Sequence, residues 1–178
     1  MFSQWAKLWI LTIILLMSTF AHSSAFEIKS KYTTIIYNNK KELRQFNNDI
    51  YMGKYSRILL NNNVETSVDE LIVKIDWIVD RVKSILKMSP EKIGFKIAIC
   101  PSPEAVIKAY KIVYGKDTRY KAFYAPQINT VFFSTTDMEL RVVAHEFAHV
   151  IMEHYFQTSP PKIIHELLAR YAEKHITD

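Results

Sequence analysis

Cysteine and glycine are scarce in this chain, and their scarcity excludes several kinds of site. The three glycines among 178 residues, at positions 53, 94 and 115, lie far apart. A phosphate-binding loop and a dinucleotide fingerprint both need clustered glycines, so that backbone N–H groups can approach phosphates, and both are excluded. The lone Cys100 excludes an intramolecular disulfide and a zinc site built on cysteine pairs. Because Cys100 closes the apolar run 95–100, we expect its thiol to be buried and inert.

A strong charge of one sign is also lacking. The formal net charge is +5, and the 23 lysines and arginines are spread along the chain. We interpret them as a solvated surface with lysine in excess and expect no nucleic-acid partner. Hydrophobic residues make up 49% of the sequence and charged residues 23%, a balance that excludes wholesale disorder. A length of 178 residues predicts one domain, or one domain with a tail.

The amino-terminal 25 residues have the three-part pattern of a secretory signal peptide. Lys7 and the amino terminus form a positive region, the segment 8–20 is apolar, and small residues follow it. We expect cleavage after Ser23 or Ala25 and export to the periplasm or the medium. The apolar segment is shorter than a membrane-spanning helix of about 20 residues, and an uncleaved anchor is the alternative. The remaining residues, 26–178, form a single domain with 22 basic and 18 acidic residues, a net charge of +4.

The pattern of apolar residues predicts an α+β fold. Alternating or β-branched runs predict strands, whereas apolar residues three and four positions apart predict helices. Capping boxes at Ser67 with Glu70 and at Thr136 with Glu139 predict two helix starts, and Pro160 predicts a third. We expect strands at 32–37, 95–100 and 129–134, and helices at 40–46, 68–86, 103–114, 137–156 and 160–174. The expected architecture is a small mixed or antiparallel sheet with helices against one face.

The clearest chemical signal is the motif His145-Glu146-Phe147-Ala148-His149. It lies within a predicted apolar helix, where polar side chains need partners. His145 and His149 are one turn apart and about 40° apart around that helix, so two imidazoles can reach one ion. Glu146 is about 60° from His149, close enough to contact a water molecule on the ion without competing as a ligand. This spacing predicts Zn²⁺ bound by the two histidines, with Glu146 as the proton acceptor.

A catalytic zinc ion takes three protein ligands, so a third ligand must come from elsewhere in the chain. Glu166 is the best candidate, because it lies on the next predicted helix and a short connection lets the two helices pack side by side. His154 is about 140° from His149 around its helix and is expected to point away. His165 is next to Glu166 in the sequence but about 100° from it around the helix, so the two side chains are expected to point in different directions. Glu173 shares the face of Glu166, and we expect it on a solvated face, with an alternative ligand or a brace for the site as the second interpretation.

With a glutamate on the following helix, the HEFAH motif resembles that of the gluzincin metallopeptidases. The segment 160–173, PPKIIHELLARYAE, is similar to the second motif of the small bacterial members, approximately P-x-W-[LI]-x-E-G-x-A-x-Y. This resemblance extends over residues 92–173 and implies a zincin-like fold, in which an active-site helix is followed by a carboxy-terminal glutamate helix. It implies that the zinc ligands are His145, His149 and Glu166 and that the general base is Glu146.

The same resemblance implies that the strand 129–134 is the sheet edge that binds extended substrate. We therefore expect an exported zinc metallopeptidase whose partner is a peptide or protein substrate. Glu146 would take a proton from the attacking water and pass it to the leaving amine. Tyr171 or His175 could stabilise the oxyanion, but we expect packing or a frayed helix end at these positions.

The chain departs from the family pattern at three positions of the second motif. Ile163 stands in place of Trp, Leu167 in place of the Gly after the ligand, and Arg170 where some gluzincins have an acid that braces a histidine. Two alternatives therefore stay open. One is a catalytically inactive zinc-binding module in the envelope or outside the cell. The other is a membrane-anchored interaction protein in which HEFAH is accidental.

Overall fold

A computed structural model describes residues 25–62, 64–136 and 138–178. The strands are β1 (Phe26–Lys29), β2 (Thr33–Tyr37), β3 (Phe95–Cys100), β4 (Ala122–Ala125) and β5 (Thr130–Ser134). The α-helices are α1 (Lys40–Asp49), α2 (Arg57–Leu60), α3 (Ser67–Leu86), α4 (Pro103–Tyr114), α5 (Leu140–Tyr155) and α6 (Lys162–His175). The predicted signal peptide lies outside the described residues except for Ala25. Within the described ranges, no helix combines the length and the apolar composition needed to cross a bilayer.

The five strands form one mixed sheet in the order β1-β2-β3-β5-β4. The three central strands run parallel, and β1 and β4 pair antiparallel at the two edges. Parallel neighbours need crossover connections, which helices supply between β2 and β3 and between β3 and β5. The α+β class and the mixed sheet are thus confirmed. The edge strands β1 and β4, four residues each, have no counterpart among the predicted strands, because such short runs show little periodicity.

The structure corrects the expectation that the strand 129–134 is a sheet edge. β5 lies between β3 and β4, so its main chain is paired on both sides, with Val131 opposite both Ile97 and Tyr124. The open edge on this side of the sheet is β4 instead. β4 and β5 form a hairpin whose connection includes Asn129 in the left-handed conformation, at φ 48°.

Helices cover both faces of the sheet, whereas the sequence patterns predict helices on one face. Successive strand side chains point to opposite faces. Phe133 belongs to the main core beneath α1, α3 and α5, and its neighbour Phe132 packs against α4 on the other side. Cys100 also lies on the α4 side, where it is half-buried rather than buried. Burial raises the pKa of its thiol to about 11, which keeps the thiol protonated and unreactive near neutral pH.

The start of helix α3 lies one residue from the predicted one. Thr66, not Ser67, is the N-cap residue, and its hydroxyl accepts from the N–H of Asp69 at 3.2 Å. The Asp69 carboxylate in turn accepts from the N–H of Thr66 at 3.0 Å, which completes the capping box. The box is therefore Thr66 with Asp69 rather than Ser67 with Glu70.

Helices α5 and α6 also begin later than predicted. Glu139 is the N-cap of α5 but makes no side-chain capping bond, so the predicted box with Thr136 is wrong. The N–H of Thr136 donates instead to the hydroxyl of Ser134 at 3.1 Å. Helix α6 begins at Lys162, with Pro161 as its N-cap, rather than at Pro160.

Helix α5 is largely buried, and this burial positions the HEFAH segment. Val143, Phe147 and Ile151 are fully buried against α3 and the sheet. The Phe147 ring meets Phe95 edge-on, with 5.1 Å between ring centroids. With one side of α5 fixed in the core, His145 and His149 are presented toward α6.

Candidate metal centre

Helices α5 and α6 bring together three side chains that could hold a metal ion. His145, His149 and Glu166 each offer one ligand atom, and these atoms lie within 4.8 Å of one another. The Nε2 atom of His145 is 3.3 Å from Nε2 of His149 and 3.7 Å from a carboxylate oxygen of Glu166. Two imidazole nitrogens and one carboxylate oxygen form a donor set typical of catalytic zinc sites.

A carboxylate orients the first histidine of the motif. Nδ1 of His145 lies 3.0 Å from a carboxylate oxygen of Glu173. An ionised carboxylate only accepts hydrogen bonds, so Nδ1 carries the imidazole proton and Nε2 is left with a free lone pair. Glu173 therefore braces His145, and it does so from one turn beyond Arg170, the position where some gluzincins have the bracing acid.

A chain of hydrogen bonds orients the second histidine in the same sense. The Ser159 hydroxyl donates to Glu153 at 2.7 Å and lies 3.0 Å from Nε2 of His165. Nδ1 of His165 is 3.3 Å from Nδ1 of His149. Because Glu153 can only accept, Ser159 accepts from Nε2–H of His165. In that tautomer Nδ1 of His165 accepts from Nδ1–H of His149. This direction leaves Nε2 of His149 without a proton.

The two unprotonated Nε2 atoms therefore lie 3.3 Å apart. Burial, followed by the neighbouring His145 and His165, lowers the pKa of His149 to about 3, so its imidazole is neutral at pH 7. Neutral imidazoles with free Nε2 lone pairs are the form that binds a metal, and a shared cation would relieve their repulsion. The residues present thus fit a divalent metal ion.

Glu146, the expected general base, is buried beside this group. Its exposed fraction is 8%. Burial, opposed by a hydrogen bond from the backbone N–H of Tyr124, raises the pKa of Glu146 to about 8. Nearby Glu166 and Glu173 raise it further, since like charges disfavour a second carboxylate. A carboxyl with its pKa near neutrality is suited to taking and releasing a proton.

His145, Glu146, His149 and Glu166 line a cleft of about 680 Å³. One wall is built from α5 and α6, and it carries the candidate metal centre. The facing wall is aromatic and comes from α4, β4 and the segment between them, with Tyr110, Tyr114, Tyr120, Phe123 and Tyr124. The Tyr114 hydroxyl donates to the backbone carbonyl of Tyr124 at 3.3 Å. The edge strand β4 thus borders the metal centre.

Two departures from the family pattern lie on the outer surface of α6. Ile163 is 76% exposed and Leu167 63% exposed. Leu167 therefore extends into solvent rather than between α5 and α6, and it does not separate the ligands on the two helices. The third departure, Arg170, lines the cleft.

Three further candidate residues, His154, Tyr171 and His175, lie outside the group formed by His145, His149 and Glu166. His154 bonds through Nδ1 to the carbonyl of Val150 at 2.9 Å, within its own helix. Tyr171 is half exposed and packs on His175, with 4.4 Å between ring centroids, and neither lines the cleft. The expectation that either stabilises an oxyanion has no geometric support.

Reasoning from the sequence misses His165, Ser159 and Glu153 as partners of the metal centre. His165 is buried, and its ring stacks on that of His149 at 5.5 Å with 15° between the ring planes. The only sequence signal for His165 is its place next to Glu166. The angle of about 100° between the two positions around the helix argues against a shared site. The side chain reaches His149 because it spans the helix interface rather than lining the face of Glu166.

Comparisons with protein-family models, with curated proteins and with solved structures find no match to this chain.

Proposed function

We propose that this chain is a zinc-dependent metallopeptidase with a zincin-like fold. The observation that carries the proposal is the convergence of His145, His149 and Glu166, whose ligand atoms lie within 4.8 Å of one another. Export is part of the proposal and rests on the amino-terminal sequence pattern alone.

Each residue of the group has a role in peptide hydrolysis. His145, His149 and Glu166 would hold Zn²⁺, with Glu173 and His165 orienting the two imidazoles. A zinc ion in that position polarises a carbonyl and lowers the pKa of a water molecule. Glu146 accepts a proton from the attacking water and donates it to the leaving amine.

The substrate would lie in the cleft along β4 rather than β5. β4 is the free edge of the sheet, and an extended peptide can add to such an edge. Both the N–H and the C=O of Tyr124 point away from β5, since they contact Glu146 and Tyr114 respectively. A peptide that pairs with the Tyr124 carbonyl therefore has to displace the Tyr114 hydroxyl.

The decisive test compares Glu146→Gln with the wild-type protein. We expect both to bind about one equivalent of zinc, and only the wild type to cleave peptides in a chelator-sensitive manner. Glu91→Gln is the matched control, since Glu91 is exposed and does not line the cleft. Cleavage by Glu146→Gln at the wild-type rate would refute the assigned role. Stoichiometric zinc without cleavage by the wild type would favour an inactive zinc-binding module, and absence of zinc would indicate that HEFAH is accidental.

A further inference from the structure

Basic side chains flank the candidate metal centre on the wall of the cleft. Lys162 lies one helical turn before Glu166, and Arg170 lies one turn after it. Positions four apart share a helix face, and both residues line the cleft with Glu166. Each is displaced from Glu166 by about 6 Å along the helix axis. Lys116 adds a third basic residue from the segment after α4.

Within the described part of the chain, none of these three cations has an ion pair or a side-chain hydrogen bond. Two of the three carboxylates on the same walls, by contrast, have hydrogen-bond donors: Glu146 has the Tyr124 N–H, and Glu153 has Ser159 and His165. The third, Glu166, is the candidate metal ligand and lies 3.7 Å from the unprotonated Nε2 of His145. With a metal ion bound to Glu166, the charges left free in the cleft are positive.

The three basic residues and the three carboxylates of the cleft balance without a metal ion, and a bound divalent cation creates an excess of positive charge. Three basic residues and the ion then face three carboxylates, which leaves two positive charges in excess. Glu173 lies behind His145 and does not line the cleft. The aromatic side chains of the facing wall limit hydration, and a positive cleft with low-dielectric walls attracts anionic groups.

We propose that the cleft selects peptides that carry a carboxylate within about two residues of the scissile bond, with Lys162 and Arg170 as the specificity-determining residues. An extended peptide rises about 3.3 Å per residue, so for a peptide that runs alongside α6 the distance of about 6 Å between Glu166 and each basic residue corresponds to about two residues. Such a carboxylate comes either from an Asp or Glu side chain or from the carboxyl terminus of the peptide. This inference rests on the proposed function, since it concerns the substrate of the same site.

The experiment uses matched fluorogenic peptides with Glu or Gln two residues before or after a common cleavage site. Each peptide is made with a free and with an amidated carboxyl terminus, so that the two sources of carboxylate are measured separately. For the wild type we expect kcat/KM to favour a carboxylate about fivefold over the uncharged counterpart. This preference decreases as the salt concentration is raised to about 0.5 M, because ions screen the attraction.

The variant Lys162→Met/Arg170→Met is expected to reduce that preference to near unity while it retains zinc. Lys108→Met is the matched control, since Lys108 is exposed on α4 and does not line the cleft, and it keeps the full preference. Equal cleavage of the carboxylate and uncharged peptides by the wild type would overturn the inference. A preference that survives in the double variant would overturn it as well.

Direct binding separates failure of the inference from failure of the proposed function. If the zinc-loaded protein cleaves no peptide, the metallopeptidase proposal fails, and the same peptides are titrated against the protein by fluorescence anisotropy. Tighter binding of the peptides that carry the carboxylate, lost in Lys162→Met/Arg170→Met, then supports the inferred selectivity. Equal affinities for acidic and uncharged peptides overturn it.

Discussion

Nε2 of His145 and Nε2 of His149 lie 3.3 Å apart, and the hydrogen bonds behind each ring leave both nitrogens without a proton. Glu173 determines the tautomer of one ring, and the chain from Glu153 determines that of the other. Two lone pairs at this separation repel each other, and a cation between them would convert repulsion into binding. A metal ion held by this group would therefore stabilise an arrangement that is costly in the metal-free protein.

Removal of the metal is therefore expected to destabilise the protein. A ligand present at about 1,000 times its Kd stabilises the folded state by about 4 kcal/mol, which corresponds to a Tm change of about 10 °C in a domain of this size. We expect a chelator to lower the Tm by that amount, as measured by calorimetry. His149→Ala should lose both zinc and the response to chelator, whereas His154→Ala should keep both. A chelator response in His149→Ala would contradict this assignment.

Substitution of His165 tests the hydrogen-bond chain behind His149. Phe at this position retains the stacked ring but cannot accept from His149, so we expect zinc affinity to fall by about 10- to 100-fold. Asn retains a carbonyl acceptor and should restore part of that affinity. Zinc affinity is measured by competition with a chromophoric chelator. Unchanged zinc affinity in His165→Phe, with a loss only in His165→Asn, would show that His165 contributes through packing alone.

The stability of the metal-free protein should pass through a maximum at weakly acidic pH. The folded state holds the pKa of His149 at about 3, below its ordinary 6.5, so the unfolded state binds more protons between these values. Stability is consequently lost as the pH falls from 6.5 toward 3. The pKa of Glu146 is raised from 4.5 to about 8, so the folded state binds more protons in that window and stability is lost as the pH rises through it.

Chemical denaturation of the metal-free protein across pH 3 to 9 measures both effects. Between pH 4.5 and 6.5 the two effects oppose each other, so the net alkaline decline falls between pH 6.5 and 8. Glu146→Gln has no titrating group at this position, so it should lose most of that decline and keep the loss of stability below pH 6.5. An unchanged alkaline decline in this variant would assign that decline to another group.

Tyr114→Phe tests whether the Tyr114 hydroxyl competes with substrate for β4. Removal of the hydroxyl frees the Tyr124 carbonyl, and a typical hydrogen bond contributes about 1 kcal/mol, so we expect KM to fall by about two- to fivefold with little change in kcat. Tyr120→Phe is the control, because Tyr120 also lines the cleft while its hydroxyl has no hydrogen bond among the described residues. A fall in kcat for Tyr114→Phe would instead place the hydroxyl at the developing oxyanion.

Local sequence patterns were sufficient for most of the secondary structure and for the spacing of the two candidate histidine ligands. The strands β2, β3 and β5 and the helix α4 follow from periodicity and capping residues, because both depend on neighbours a few positions apart. The separation of His145 and His149 by one turn is likewise a property of any helix. These interactions act over one or two turns, so they can be read from the sequence alone.

The tertiary structure alone decided which edge of the sheet is open and how each histidine is oriented. β4 rather than β5 occupies the edge, because the two strands form a hairpin that the four-residue sequence of β4 does not predict. His165 reached His149, and Glu173 reached His145, only because α6 packs against α5 at one particular rotation. Pairing and tautomer depend on residues far apart in the chain, and no local pattern encodes the distance between them.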